Sequence, residues 1–202
     1  MIHIETINLG PMGNCTYLVT QGTDALLIDP AWDPSYLINL IQTRKLNLLG
    51  VFFTHGHFDH VKFADRLLSH FNLIAYLEEK DIDLAGLPPE VLHLYAGNQQ
   101  VKLGPFDVRI TPTPGHTAGC VCIGVEDALF TGDTLFVGAC GRVDLPSSDP
   151  RQMRESLRLL ASLPENTRIF SGHDYGGRNS SAIGEEKKNN PFMRNALRGE
   201  IF

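Results

Sequence analysis

The sequence predicts an α/β fold in which two β-sheets pack face to face with helices on their outer sides. Three observations predict it. Apolar runs of strand length recur along the whole chain, divided by Gly and Pro turn signals. In each half, a series of such runs is joined by an amphipathic helix opening on Asp-Pro, at Asp33-Pro34 and at Asp149-Pro150. No internal repeat of about 20 to 50 residues suggests a solenoid instead. Periodicity by itself also admits one open α/β sheet.

In order, Ile2 to Ile7, Thr16 to Thr20 and Ala25 to Asp29 read as strands broken by Gly10-Pro11, Gly13-Asn14 and Gly22. Leu37, Leu40 and Ile41 recur at helical spacing as far as about Arg44, and residues 49–53 return as a strand. Phe63, Leu67, Leu68 and Phe71 make a second amphipathic helix, followed by a strand from Leu73 to Leu77. A short helix is expected at Glu79 to Leu84 and a loop at Pro88-Pro89. Val101 to Leu103, Val108 to Thr111, Cys120 to Val125 and Ala128 to Thr131 suit a second sheet. The helix after Asp149 buries Met153, Leu157 and Leu160, Arg168 to Ser171 is the last strand, and helices near 182–188 and 191–198 close the chain.

At 202 residues the chain fits a single domain spanning 1–202. Its longest apolar runs are strand-sized, so no membrane partner is expected. The opening Met1-Ile2-His3-Ile4-Glu5 lacks the marks of a signal peptide, which makes a cytoplasmic location the expectation. Cys15, Cys120, Cys122 and Cys140 form no disulfide framework and read as reduced thiols. Cys120-x-Cys122 fits alternation along a strand better than half of a zinc site, because no second pair follows. The net charge of -6 argues against nucleic acid. That charge is uneven: residues 1–141 carry -8 and residues 142–202 carry +2, so the tail could meet a small anionic substrate. A solvated helix face accounts equally for Arg151, Arg154 and Arg158.

The chemistry centres on Thr54-His55-Gly56-His57-Phe58-Asp59-His60, directly after an apolar run. Polar side chains buried there would each cost about 1 to 3 kcal/mol unless something satisfies them, and a metal is the simplest partner. Three more candidates stand where a strand meets a turn: His116, Asp133 and His173, each preceded by Gly. Glycine permits the tight turn that aims such a side chain from a rigid strand end. His3, His70 and His93 have no such setting. Five His and two Asp exceed the need of one tetrahedral ion, whereas two ions sharing a carboxylate would use all seven. His55, His57 and His116 would form one site and Asp59, His60 and His173 the other, with Asp133 between them. Two ions about 3.5 to 4 Å apart can hold a hydroxide that is a nucleophile near neutral pH.

THGHFDH, TPGHTAGC, FTGDTLF and SGHDY, in this order, are similar to the motifs of the metallo-β-lactamase superfamily, whose fold is an αββα sandwich of two mixed sheets. Within it, GDTLFVGACGRVDLP, SLPENTRIFSGHDYGG and EEKKNNPFMR resemble the glyoxalase II group of hydroxyacylglutathione hydrolases and the related persulfide dioxygenases. The resemblance implies two divalent ions, zinc, iron or manganese, at the seven positions. It implies a thioester substrate such as a hydroxyacylglutathione, with Asp59 and Asp133 catalytic and Arg142, Tyr175 and Lys187 or Lys188 on the anionic glutathione moiety. The longer helical C-terminal region of glyoxalase II has no counterpart in the thirty or so residues after His173. The rival that the same resemblance implies is a persulfide dioxygenase acting on glutathione persulfide, with one Fe(II) at His55, His116 and Asp133, a His-His-carboxylate set suited to non-haem iron. A structural zinc module fits poorly, since such sites are closed cages of four ligands. A homo-oligomer is compatible with the sequence.

Overall fold

The computed structural model describes residues 1–200. Six strands form the first sheet in chain order: β1 (His3–Leu9), β2 (Asn14–Gln21), β3 (Asp24–Ile28), β4 (Asn47–Phe52), β5 (Ala75–Glu78) and β6 (Leu92–Tyr95). β1, β2 and β3 pair antiparallel, while β3 to β6 run parallel, which requires crossovers. Helices α1 (Pro34–Thr43), the one-turn α2 (Phe58–Val61), α3 (Ala64–Phe71) and the short α4 (Ile82–Ala85) lie in those crossovers.

The second sheet holds β7 (Gln99–Leu103), β8 (Phe106–Pro112), β9 (Val121–Val125), β10 (Ala128–Gly132), β11 (Arg168–Ser171) and β12 (Ser180–Ala182). Its neighbours pair antiparallel except β10 with β11, which run parallel through α5 (Pro150–Ala161). Helices α6 (Ile183–Asn189) and α7 (Pro191–Arg198) follow. Both sheets are therefore mixed, and the open single sheet does not form.

Alternation along the strands builds four layers. Leu26, Ile28 and Phe52 face the other sheet and meet Val108, Ile110, Ile123 and Phe130. Their neighbours Leu27, Val51 and Phe53 point outward, where Leu37 and Ile41 of α1 and Leu67 and Leu68 of α3 cover them. Cys122 and Ile169 play the outward part on the second sheet, under Met153, Leu157 and Leu160 of α5 and Met193 of α7. Cys120 and Cys122 are thus core side chains. All four cysteines are free.

The caps follow local chemistry. Asp33 accepts from the Tyr36 amide at 3.0 Å, and Asp149 accepts from Arg151 and Gln152, each with proline at the first helical position. α7 repeats the device with Asn190-Pro191.

Some expected boundaries move. The strand expected at Leu73 to Leu77 starts two residues later, and α1 stops at Thr43. The expected helix at Glu79 to Leu84 divides into a 3-10 turn over Glu79–Asp81 and α4. β6, β12 and α2 went unanticipated.

Phe130, fully buried, lies 5.0 Å from the Tyr17 ring and 5.3 Å from that of Phe170, at the centre of the inter-sheet layer. Phe130→Ala is expected to cost about 3 to 5 kcal/mol, read as a lowered urea midpoint at unchanged slope. A loss below about 1 kcal/mol would mean that the layer repacks.

Candidate metal centre

Strands from both sheets end on one side of the sandwich, and the polar turns beyond them converge there. Past β4 come His55 and His57; α2 then carries Asp59 and His60 on adjacent positions, so the heptapeptide is partly helical rather than a plain loop. His116 follows β8, Asp133 directly follows β10, and His173 follows β11. Backbone hydrogen bonds stitch these turns across the two sheets. The Val121 amide donates to the Thr54 carbonyl at 2.8 Å, and the Cys15 amide to that of Gly172 at 2.9 Å.

Two groups of donor atoms result. His57 Nδ1 stands 3.1 Å from His55 Nε2 and 2.9 Å from His116 Nε2. His60 Nε2 lies 3.2 Å from His173 Nε2, with Asp59 Oδ2 3.3 Å from the latter. Asp133 lies between them: its Oδ2 is 3.4 Å from both His116 and His173, and its Oδ1 is 3.5 Å from His60. His57 is half-buried and the other six are buried.

The outer nitrogens show which way the lone pairs point. His116 Nδ1 lies 2.9 Å from the Arg142 carbonyl and His173 Nδ1 lies 3.0 Å from that of Met12. A carbonyl only accepts, so each Nδ1 carries the hydrogen and each neutral ring turns its Nε2 lone pair inward. His60 does the same through Asp29 at 2.9 Å. In their neutral forms the His60 and His173 rings aim lone pairs at each other across 3.2 Å, beside a buried Asp133 Oδ1 that has no hydrogen-bond partner. A cation between them relieves both conflicts, and a set of imidazoles and carboxylates fits a divalent metal ion.

Two of the supporting residues escaped sequence reasoning. Asp29 accepts from the Thr54 amide and hydroxyl, both at 2.7 Å, as well as holding His60. Asn14, read from sequence only as a turn residue, donates to Asp59 Oδ2 at 2.8 Å. The glycines before the ligands serve different ends. Gly132 has φ +47°, and a Cβ there would run into the Thr54 side chain, whereas Gly172 simply leaves room for Asp133 and His60.

The proposed substrate residues are placed unequally. Tyr175 is 67% exposed and stacks on His173 at 4.9 Å, at the mouth of the cluster. Arg142 shares its backbone with the His116 contact, but its guanidinium pairs with Asp144 at 2.7 Å. Lys187 pairs with Glu165 at 3.3 Å, and Lys188 is exposed on α6. No contact joins either lysine to the cluster among the described residues. His3, His70 and His93 are exposed.

The sequence pattern of the metallo-beta-lactamase superfamily matches residues 9–173. The chain belongs to that superfamily. A hydroxyacylglutathione hydrolase from Tolumonas auensis is 34% identical over 95% of this chain and 73% of its own length. Among solved structures, TTHA1623 in a di-iron-bound form is 35% identical, with a TM-score of 0.80 over 93% of this chain and 99% of that one. ETHE1 from Myxococcus xanthus is 27% identical, with a TM-score of 0.84 over 99% and 92%. This superfamily member is thus an enzyme whose His and Asp groups suit divalent metals. No helix among the described residues is long and apolar enough to cross a membrane.

With no ion bound, the two groups hold protons differently. Burial opposes charge on His173, yet Asp133 and Asp59 outweigh it and raise its pKa to about 10. Burial first, then the neighbouring imidazoles, keep His55 and His57 below the ordinary histidine range. A raised folded-state value gives stability that is full below the unfolded pKa of about 6.5 and is lost as pH climbs through the folded one. Chelated protein should therefore weaken between about pH 6.5 and 10, measured by urea unfolding, and His173→Gln should lack that part of the fall. Identical profiles for the two proteins would contradict this.

Proposed function

We propose that this enzyme hydrolyses a thioester such as a hydroxyacylglutathione, using two divalent ions held by the seven side chains. The observation that carries the reading is Asp133, whose two oxygens stand 3.4 to 3.5 Å from His60, His116 and His173 and so reach both donor groups. Similarity to the Tolumonas auensis hydrolase and to the di-iron structure supports it.

His55, His57 and His116 would hold one ion, Asp59, His60 and His173 the other, and Asp133 both. When bound, such a pair lowers the pKa of a water between them toward about 7 and polarises the carbonyl under attack. Asp59 remains ionised: burial opposes this, but His173, His60 and the Asn14 amide hold its carboxyl well below the usual range. That suits a ligand better than a proton store. A thiolate leaving group, with a conjugate acid near 8.5, departs without a strong general acid, so no further acidic residue is needed. Tyr175 would flank the glutathione moiety, with Arg142 meeting a carboxylate once it lets go of Asp144. Lys187 or Lys188 would serve the same anion only by reaching over from α6.

A second reading has its own support. The persulfide dioxygenase group resembles this chain in HDYGG and EEKKNNP, and ETHE1 from Myxococcus xanthus shares its fold over nearly the whole length. There His55, His116 and Asp133 would hold a single Fe(II) while the other four stay free.

Metal analysis of anaerobically purified protein, with thioester cleavage and oxygen uptake on glutathione persulfide measured side by side, separates the two. Two metal equivalents and thioester cleavage are expected. One iron with oxygen uptake and no thioesterase activity would establish the dioxygenase. His57→Ala should lose one metal equivalent and at least about 100-fold in turnover, since even the outer partners of ligands are worth about 10- to 100-fold. Unchanged activity would sink the two-ion scheme.

A further inference from the structure

Asp81 is fully buried, and among the described residues no Lys, Arg or His forms an ion pair with it. It stands at the N-cap position of α4, where an aspartate side chain ordinarily accepts from its own helix, yet it makes no such bond. Its carboxylate instead reaches two other segments. Oδ2 accepts from the Gly56 amide at 2.8 Å and the Thr117 hydroxyl at 2.6 Å, and Oδ1 accepts from the Gly119 amide at 2.8 Å. Gly56 lies between His55 and His57, and Thr117 adjoins His116.

The surroundings are shaped to admit that group. A Cβ at Gly119 would come within 2.6 Å of the Asp81 carboxyl, and one at Gly56 would meet the Asp81 backbone and Cβ. Neither glycine has a left-handed φ, so space is the reason for both. Thr117 is further fixed from behind, its amide and hydroxyl both meeting Cys120 Sγ, at 3.3 and 3.1 Å.

His57 shows why such a clamp matters. Every other candidate histidine has its outer ring nitrogen held: His55 by Thr54, His60 by Asp29, His116 by the Arg142 carbonyl and His173 by that of Met12. His57 turns Nδ1 inward, and its Nε2 has no hydrogen bond among the described residues. Its direction is therefore set by the backbone, and the neighbouring amide is the one Asp81 holds.

We infer that Asp81 is a positioning residue for the His55, His57 and His116 group, clamping the two turns that carry its ligands to one buried carboxylate. The inference rests on reading that group as a metal site, but it does not depend on which reaction follows. Charge-assisted bonds to backbone amides are the strong kind, and outer partners of ligands typically change affinity about 10- to 100-fold.

The test is cobalt(II) titration of the full chain, followed by absorption spectroscopy, on wild type, Asp81→Asn and His57→Ala. Asp81→Asn keeps the shape but turns one acceptor into a donor facing the amides. It should lose about 10- to 100-fold in affinity for one ion while keeping the other, and its residual spectrum should match that of His57→Ala. Wild-type affinities in folded Asp81→Asn, or equal weakening at both groups, would overturn the inference. Should that variant fail to fold, Thr117→Val against Thr117→Ser decides, since only the serine keeps the hydroxyl. Valine should weaken the same ion and serine restore it; equal affinities would overturn the clamp. A wild type that takes up one ion would refute the two-ion reading without spoiling this test, because His55 and His116 belong to either scheme.

Discussion

Imidazole nitrogens and carboxylates that converge at the end of the sandwich set the terms for the rest of the structure. Imidazole nitrogens 2.9 to 3.2 Å apart, with two carboxylates beside them, form an arrangement no protein interior holds without compensation. Compensation comes from two directions. Inward, a proton on His173 facing Asp59 and Asp133, or a divalent ion in its place, would satisfy the converging groups. Outward, Asp29, Thr54 and two backbone carbonyls fix four of the five rings so that they cannot turn away, and Asn14 holds the Asp59 carboxylate.

The four-layer architecture serves that geometry. Parallel pairing of β3 with β4 and of β10 with β11 makes strands of each sheet end on the same side, followed by the turns that carry the candidate ligands. Aromatic packing of Tyr17, Phe130 and Phe170 between the sheets keeps those ends in register. The Tyr17 hydroxyl also donates to the Ser171 carbonyl, at 2.5 Å, two residues before His173.

How much of this was legible differs by residue, for physical reasons. His55, His57, Asp59 and His60 crowd into one segment after an apolar run, a signature that needs no structure to notice. Asp-Pro at 33–34 and 149–150 announces helix starts, because a cap and a fixed φ are local chemistry. β12, Ser180–Ala182, left no trace, since three small residues at a sheet edge carry no periodicity. α2 escaped because four residues are too few to display a helical pattern. Asp81 was the least legible: within Glu78-Glu79-Lys80-Asp81 it resembles a solvated charge, and only the fold shows it reaching across to two turns. Such outer partners are set by long-range contacts, and composition does not record those.

The bond from His173 to the Met12 carbonyl spans 161 positions of the chain. No early, locally formed fragment can contain it. Loop closure must be met before such a contact rewards it, so contacts of this separation slow a folding reaction. The complete set of candidate ligands therefore exists only once the first and last thirds of the polypeptide have met. An ion held by that set would act as a latch on a nearly finished molecule, in contrast to small zinc domains whose metal nucleates the chain.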